Sequence, residues 1–125
     1  MRVHLRRRVK TLHQVSRGKI LRLHFCENDK YNGKPLREAV LAKCRDMKIA
    51  GATVLRGLEG FGEPAEIHRH HIVTHDQPIV IVIVDSAENI ERLKPVVEDM
   101  VQTGVIAISD VEVTRIQAGG AAGNV

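Results

Sequence analysis

Aromatic side chains are nearly absent from this chain of 125 residues, which contains no Trp, one Tyr and two Phe. Proteins that stack nucleobases or sugar rings need aromatic platforms on their binding surfaces. The composition therefore argues against such a module, and we expect no nucleic-acid partner for the folded domain.

Cysteine is equally scarce, since Cys26 and Cys44 are the only two. A pair separated by 18 positions matches neither a disulfide framework nor the ligand spacing of a zinc site. Cys44 falls on an apolar helical stripe and Cys26 at the end of a strand. We therefore predict two reduced, buried thiols in a cytoplasmic protein.

Long apolar runs and catalytic signatures are also missing. No run approaches the length of a membrane span, and the basic start of the chain is not followed by the apolar segment of a signal peptide. The chain contains no G-x-S-x-G motif, and the acids of its loops show no pairing. We expect a cytoplasmic protein that does not span a membrane and that is not an enzyme.

Positive charge is concentrated at the N-terminus. Six of the nineteen Lys and Arg lie in residues 1–17, which contain no acid, and the rest of the chain has thirteen cations against fifteen acids. Such a segment either binds nucleic acid or an anionic membrane, or is a disordered leader before the physiological start. We predict a disordered extension over 1–17, a domain over 18–117 and a flexible Gly/Ala tail over 118–125.

The apolar pattern predicts six elements. The strands are predicted over 19–26, 52–58, 78–85 and about 105–116, and the helices over 35–48 and from Ser86 to Gly104. Pro95 is expected to kink or divide the second helix, and Asp110 to interrupt the last strand. The order predicts an α+β, ferredoxin-like βαββαβ sandwich with two helices on one face of a four-stranded antiparallel sheet.

Residues 79–84, IVIVIV, are apolar on both faces of their strand. The two helices of this fold cover one sheet face, and the chain has no further element for the other. We infer a homo-oligomer in which the sheets face inward, whereas the alternative is a monomer with an unusually apolar central strand.

Three glycines, Gly57, Gly60 and Gly62, lie between the second and third strands. Glycine permits positive φ and close approach of a ligand to the backbone, and neighbouring N–H groups beside Arg56 can bind an anion. The alternative is a hairpin that uses its glycines for bulges.

Histidine is dense in the same connection, at His68, His70, His71 and His75. In an extended strand, His68 and His70 share a face and can bind zinc, nickel or copper together with Glu66 or a symmetry mate. A solvated polar hairpin is the alternative to a metal site.

Three segments, ENDKYNGKPLREAV, AGATVLRGLEGFG and PIVIVIVDSAENIERLKPVVEDMV, together resemble the family called domain of unknown function 190 over roughly residues 18–117. That family resembles the trimeric PII signalling proteins. The resemblance implies a non-catalytic regulatory homotrimer that binds a small effector, such as an adenine nucleotide, in clefts between subunits. It also implies a signalling loop at residues 58–72 and a membrane transporter, channel or enzyme as its target.

The resemblance further implies which residues line the cleft. They are Arg56, Gly57, Gly60, Phe61 and Gly62 at the base of the loop, with Arg115 as a second cation for phosphates. Where PII proteins have a glycine-rich phosphate loop, this chain has QTGVIAISD, with one glycine and no lysine, which argues against ATP as the effector. The alternative function is a metal-binding trimer that uses His68 and His70.

Overall fold

The computed structural model describes residues 11–62 and 76–118. Its elements are β1 (Thr11–Cys26), β2 (Lys30–Tyr31), β3 (Lys34–Pro35), α1 (Leu36–Asp46), β4 (Ala52–Arg56), β5 (Pro78–Asp85), α2 (Ala87–Met100) and β6 (Val105–Ala118). Four of the strands form one sheet in the order β4-β5-β1-β6, and every neighbouring pair is antiparallel. The predicted ferredoxin-like α+β sandwich is confirmed.

The side chains of β5 alternate between two environments. Its buried members are Ile79, Ile81 and Ile83, and its half-buried members are Val80, Val82 and Val84. The isoleucines join one core with side chains from β1 and both helices, among them Leu21, Leu23, Phe25, Val40, Ile90, Leu93 and Val97. Full burial of each large aliphatic side chain contributes about 1.5–3 kcal/mol, so this single layer provides most of the stability of the chain.

The valines of β5 lie on the opposite, open face of the sheet. The strand register places Leu55, Val80, His24 and Val105 in one row across that face. At the two ends of this row, Leu55 is 51% exposed and Val105 is 60% exposed. The chain therefore presents an apolar sheet face, which we call the open face, on the side away from its helices.

The first strand corrects the sequence prediction. β1 begins at Thr11, so residues 11–17, which the sequence placed in a disordered extension, pair with β6 in continuous register from Thr11–Ala118 to Arg17–Glu112. The segment TLHQVSRG lacks an alternating apolar pattern, and its strand is specified by the partner strand. A Cβ at Gly18 would lie 2.6 Å from the carbonyl oxygen of Asp85, so a glycine is required where the paired strands pass the end of β5.

Neither α2 nor β6 is divided at the position that the sequence predicted. α2 runs without a break through Pro95, because Ile90 and Leu93 before it and Val97 after it are all buried against the sheet. Pro95 itself is exposed, where water can satisfy the carbonyl that lacks an N–H donor. β6 also continues through Asp110, whose carboxylate accepts a hydrogen bond from Lys19 Nζ at 2.7 Å.

Two local sequence signals are present in the backbone geometry. An Asn-Gly turn joins β2 to β3, with φ of 51° at Asn32 and 82° at Gly33. Ser86 is the N-cap of α2, where its hydroxyl accepts a hydrogen bond from the Asn89 N–H at 3.1 Å. Neither described helix, at 11 and 14 residues, has the length and apolar character needed to cross a bilayer.

Candidate functional site

The glycine segment, residues 57–62, leaves the sheet at the end of β4 and is anchored at its first residue. The Gly57 N–H donates to the Pro78 carbonyl at 2.8 Å. A Cβ at Gly57 would lie 2.8 Å from Pro78 Cγ, so only glycine fits without displacing the proline ring. Within the described residues, Gly33 is the one glycine with positive φ. The role of Gly57 is therefore close packing of the two strands and not a left-handed conformation.

Gln77 holds the same segment from the other strand. The orientation of its side-chain amide, assigned from the hydrogen-bonding network, lets Nε2 donate to the carbonyls of Gly57 at 3.0 Å and Leu58 at 3.1 Å. These bonds fix the carbonyls of Gly57 and Leu58 against the start of β5. We call Gly57, Leu58 and Gln77 the loop anchor.

Arg56 is the cation of this region, and Glu27 is its partner. The Arg56 Nη2 donates to Glu27 Oε2 at 2.6 Å. The Arg56 side chain is 55% exposed, whereas the Glu27 side chain is 25% exposed. A guanidinium has five N–H donors, and this contact uses one of them. Arg56 is therefore exposed enough for an anion from solvent to reach its guanidinium group.

The outer part of the glycine segment makes few contacts. Phe61 and Leu58 are essentially fully exposed, and a Cβ at Gly62 would meet no atom within 4 Å. Gly60 lies near the ring of Pro78, where an added Cβ would be at 3.5 Å from Cγ. Of the predicted binding residues, Arg56, Gly57 and Gly60 lie together, and Phe61 and Gly62 extend away from the described surface.

Arg115 lies elsewhere in the chain. It belongs to the outer part of β6 and lines one cleft with Val84, next to Asp85 at the C-terminal end of β5. Arg56 is paired with Ile79 at the other end of that strand. Asp85 is six residue steps beyond Ile79, a distance of about 20 Å at about 3.3 Å per residue. A single chain thus does not bring the two predicted cations to one ligand.

A cleft of about 660 Å³ borders Arg115 on the side of the open face. It is lined by residues 50–53, by Val82 and Val84, and by residues 113–118. The lining is apolar apart from Thr53, Thr114, Arg115 and Gln117. Arg115, the second predicted cation, therefore lies on the same surface as Val82 and Val84 of the open face.

Asp85 fixes the geometry at that end of β5. Its carboxylate accepts hydrogen bonds from the Ala50 N–H at 2.8 Å, the Ser86 N–H at 2.6 Å and Asn89 Nδ2 at 3.0 Å. Burial alone would raise the pKa of Asp85, but these three donors and the charge of Arg115 outweigh it and lower the pKa. Asp85 thereby joins the start of α2 to the connection that precedes β4.

The predicted alternative metal site is formed by residues that the structure does not describe. His68, His70, His71 and His75 fall in residues 63–75, outside the described ranges, so metal binding by His68 and His70 stays a prediction. Among residues 11–62 and 76–118, no group of three or more His, Cys, Asp or Glu is arranged to hold a metal ion. Cys26 and Cys44 are both unpaired thiols, and burial raises the pKa of each.

Known structures share this fold. The apo form of CPII from Thiomonas intermedia, a nitrogen regulatory PII-like protein, matches with a TM-score of 0.54 and 20% identity, over 83% of this chain and 99% of that chain. The same protein bound to ADP, AMP and bicarbonate matches with a TM-score of 0.54 and 19% identity, over 82% and 98%. A putative PII-like signaling protein from Thermus thermophilus matches with a TM-score of 0.57 and 14% identity, over 80% and 91%. The fold is that of the PII-like proteins.

The family follows from the sequence matches. Residues 18–113 match the family described as Uncharacterized ACR, domain of unknown function 190. A UPF0166 protein of Aquifex aeolicus is 31% identical over 102 residues, which cover 80% of this chain and 96% of the relative. A UPF0166 protein of Methanocaldococcus jannaschii is 30% identical over 104 residues, covering 79% and 94%. The chain belongs to the domain of unknown function 190 family, which confirms the predicted resemblance.

Three residues that contribute to these sites were not predicted from the sequence. Glu27, Gln77 and Asp85 act through partners that are distant in sequence, and their contacts depend on how β1, β4 and β5 are aligned. A lone Glu or Gln in a loop carries no spacing signal, so a sequence pattern could not have selected Glu27 or Gln77.

Proposed function

We propose that this protein is a PII-like regulatory homotrimer that binds a small anionic effector, such as an adenine nucleotide, in clefts between its subunits. It acts by binding and not by catalysis. The observation that carries the proposal is the placement of Arg56 and Arg115 at opposite ends of β5, because one ligand can contact both cations only where two chains meet. The CPII structure with ADP, AMP and bicarbonate supports the choice of ligand class.

The open face supports association. Val80, Val82 and Val84 are half-buried in the single chain, and Leu55 and Val105 extend the same apolar surface to both edge strands. A sheet face rich in aliphatic side chains indicates an interaction surface. Closed cyclic assembly of identical chains buries such a face on every subunit at once.

The loop anchor supports a mechanism for the response. Arg56 is adjacent in sequence to Gly57, so a phosphate that binds Arg56 lies beside the start of the loop at 58–72. Effector binding that favours one arrangement of the glycine segment then changes the population of loop conformations available to a partner. The target of the loop is a membrane transporter, channel or enzyme in this proposal.

Removal of either cation is expected to weaken nucleotide binding. We expect the Arg56→Ala and Arg115→Ala variants to bind ADP at least tenfold more weakly than the wild type, since a hydrogen bond to a charged group contributes about 1.5–3 kcal/mol. Isothermal titration with ADP, AMP and ATP at low salt measures this difference. Arg45→Ala, which removes an exposed cation from α1, serves as the matched control. Equal affinities for wild type and both cleft variants would contradict the proposed site.

A further inference from the structure

We propose that Glu27 is a built-in anion for Arg56, which the effector must displace, and that this exchange is transmitted to the loop anchor. The inference rests on the proposed function, because it assigns a regulatory contact to the same binding site. Glu27 is a positioning residue in this scheme. It sets how available Arg56 is, and it does not itself bind the effector.

The geometry supports competition at Arg56. Glu27 Oε2 lies 2.6 Å from Arg56 Nη2, so a carboxylate already occupies one donor of the guanidinium. Carboxylate and phosphate oxygens bind guanidinium N–H groups in the same way. Glu27 is the more buried member of the pair, and Arg56 is the more exposed one. An anion from solvent therefore reaches the free side of Arg56 first and then draws it away from Glu27.

Direct contacts connect the pair to the glycine segment. The Glu27 N–H donates to the backbone carbonyl of Gln77 at 2.8 Å. The side-chain amide of Gln77 donates to the carbonyls of Gly57 and Leu58 at 3.0 and 3.1 Å. Arg56 immediately precedes Gly57, so the ring of contacts closes on itself. Movement of Arg56 away from Glu27 acts on the loop anchor through the chain at Gly57 and through Gln77.

The size of the effect follows from population arithmetic. The apparent dissociation constant equals the intrinsic one divided by the fraction of molecules in which the binding group is available. A partly exposed ion pair of this kind is formed in most molecules but is not strong. Its removal is expected to tighten effector binding by about fivefold.

The test compares Glu27→Gln with wild type and with Glu98→Gln. Glutamine keeps the shape of Glu27 and removes its charge, while Glu98→Gln removes a charge from the exposed Lys94–Glu98 pair of α2. ADP is titrated into each trimer at low salt, and amide hydrogen exchange over residues 57–62 is measured without nucleotide. We expect Glu27→Gln to bind ADP about fivefold more tightly and to exchange these amides several times faster, with Glu98→Gln unchanged in both.

The outcomes separate this proposal from the proposed function. Unchanged or weaker ADP binding by Glu27→Gln, with wild type binding normally, would overturn the competition. Absence of ADP binding by all three proteins would contradict the proposed effector instead, and the exchange data then decide. In that case faster exchange over 57–62 in Glu27→Gln alone supports the link to the loop anchor, and unchanged exchange overturns it.

Discussion

Replacing Val82 with lysine is expected to convert the proposed trimer into a monomer with a mass near the 13.9 kDa of the chain. Val82 lies in the middle of the open face, between Thr53 on β4 and Arg22 on β1. In a trimer whose sheets face inward, three added ammonium groups would be buried close together without partners, which costs several kcal/mol for each ion. Sedimentation equilibrium at micromolar concentration measures the change.

The isolated fold should survive this substitution. In a monomer the lysine stem can lie along the sheet with its ammonium group in water, so the far-ultraviolet circular dichroism should match that of the wild type. Ala42→Lys, on the exposed side of α1, adds the same charge to the helical layer and should leave the mass unchanged. A Val82→Lys protein that stays trimeric would show that the open face is not the subunit interface.

Replacing Asp85 with alanine is expected to lower the free energy of unfolding by about 3 kcal/mol, because hydrogen bonds to a charged group contribute about 1.5–3 kcal/mol each and are partly replaced by water. The substitution removes the common acceptor of Ala50, Ser86 and Asn89. Urea unfolding of wild type and variant measures the loss. Asp110→Ala, which removes an exposed carboxylate bound to Lys19, should have a much smaller effect.

The lowered pKa of Asp85 also gives its contribution a pH dependence. Because the pKa is lower in the folded chain than its ordinary value of 3.8, the unfolded chain takes up the proton first as pH falls. The stabilisation is fully present above the unfolded pKa and is lost as pH falls through the lowered folded pKa. The difference in unfolding free energy between wild type and Asp85→Ala should therefore be constant near neutral pH and shrink in acid. A difference that does not change down to pH values of about 2 would contradict this assignment.

The sequence was sufficient for those parts of the fold that depend on local periodicity. The alternation of β5, the stripe of α1 and the cap at Ser86 each carry a signal within a few residues, and all three are present. The start of β1 and the continuity of α2 depend instead on partners. Residues 11–17 become a strand because β6 lies beside them, and α2 passes Pro95 because its apolar side is buried on both sides of the proline.

The same distinction between local and long-range signals applies to the residues of the candidate site. The glycines and Arg56 were evident because glycine spacing and an adjacent cation form a short pattern. The separation of Arg56 from Arg115 was not, since it follows from the register of β4, β5 and β6. The contacts of Glu27 and Gln77 likewise exist only after the sheet has brought the ends of β1, β4 and β5 together.

Mixing two defective proteins is the most direct test of a binding site shared between subunits. Arg56→Ala and Arg115→Ala chains are coexpressed in equal amounts, and ADP sites per chain are counted by titration. If each cleft takes Arg56 from one subunit and Arg115 from its neighbour, every mixed trimer regains one intact cleft of its three. Because random assembly of two chain types makes three quarters of cyclic trimers mixed, about a quarter of all sites should bind ADP with wild-type affinity. Recovery of no sites in verified mixed trimers would show that one ligand does not bridge these two cations between chains.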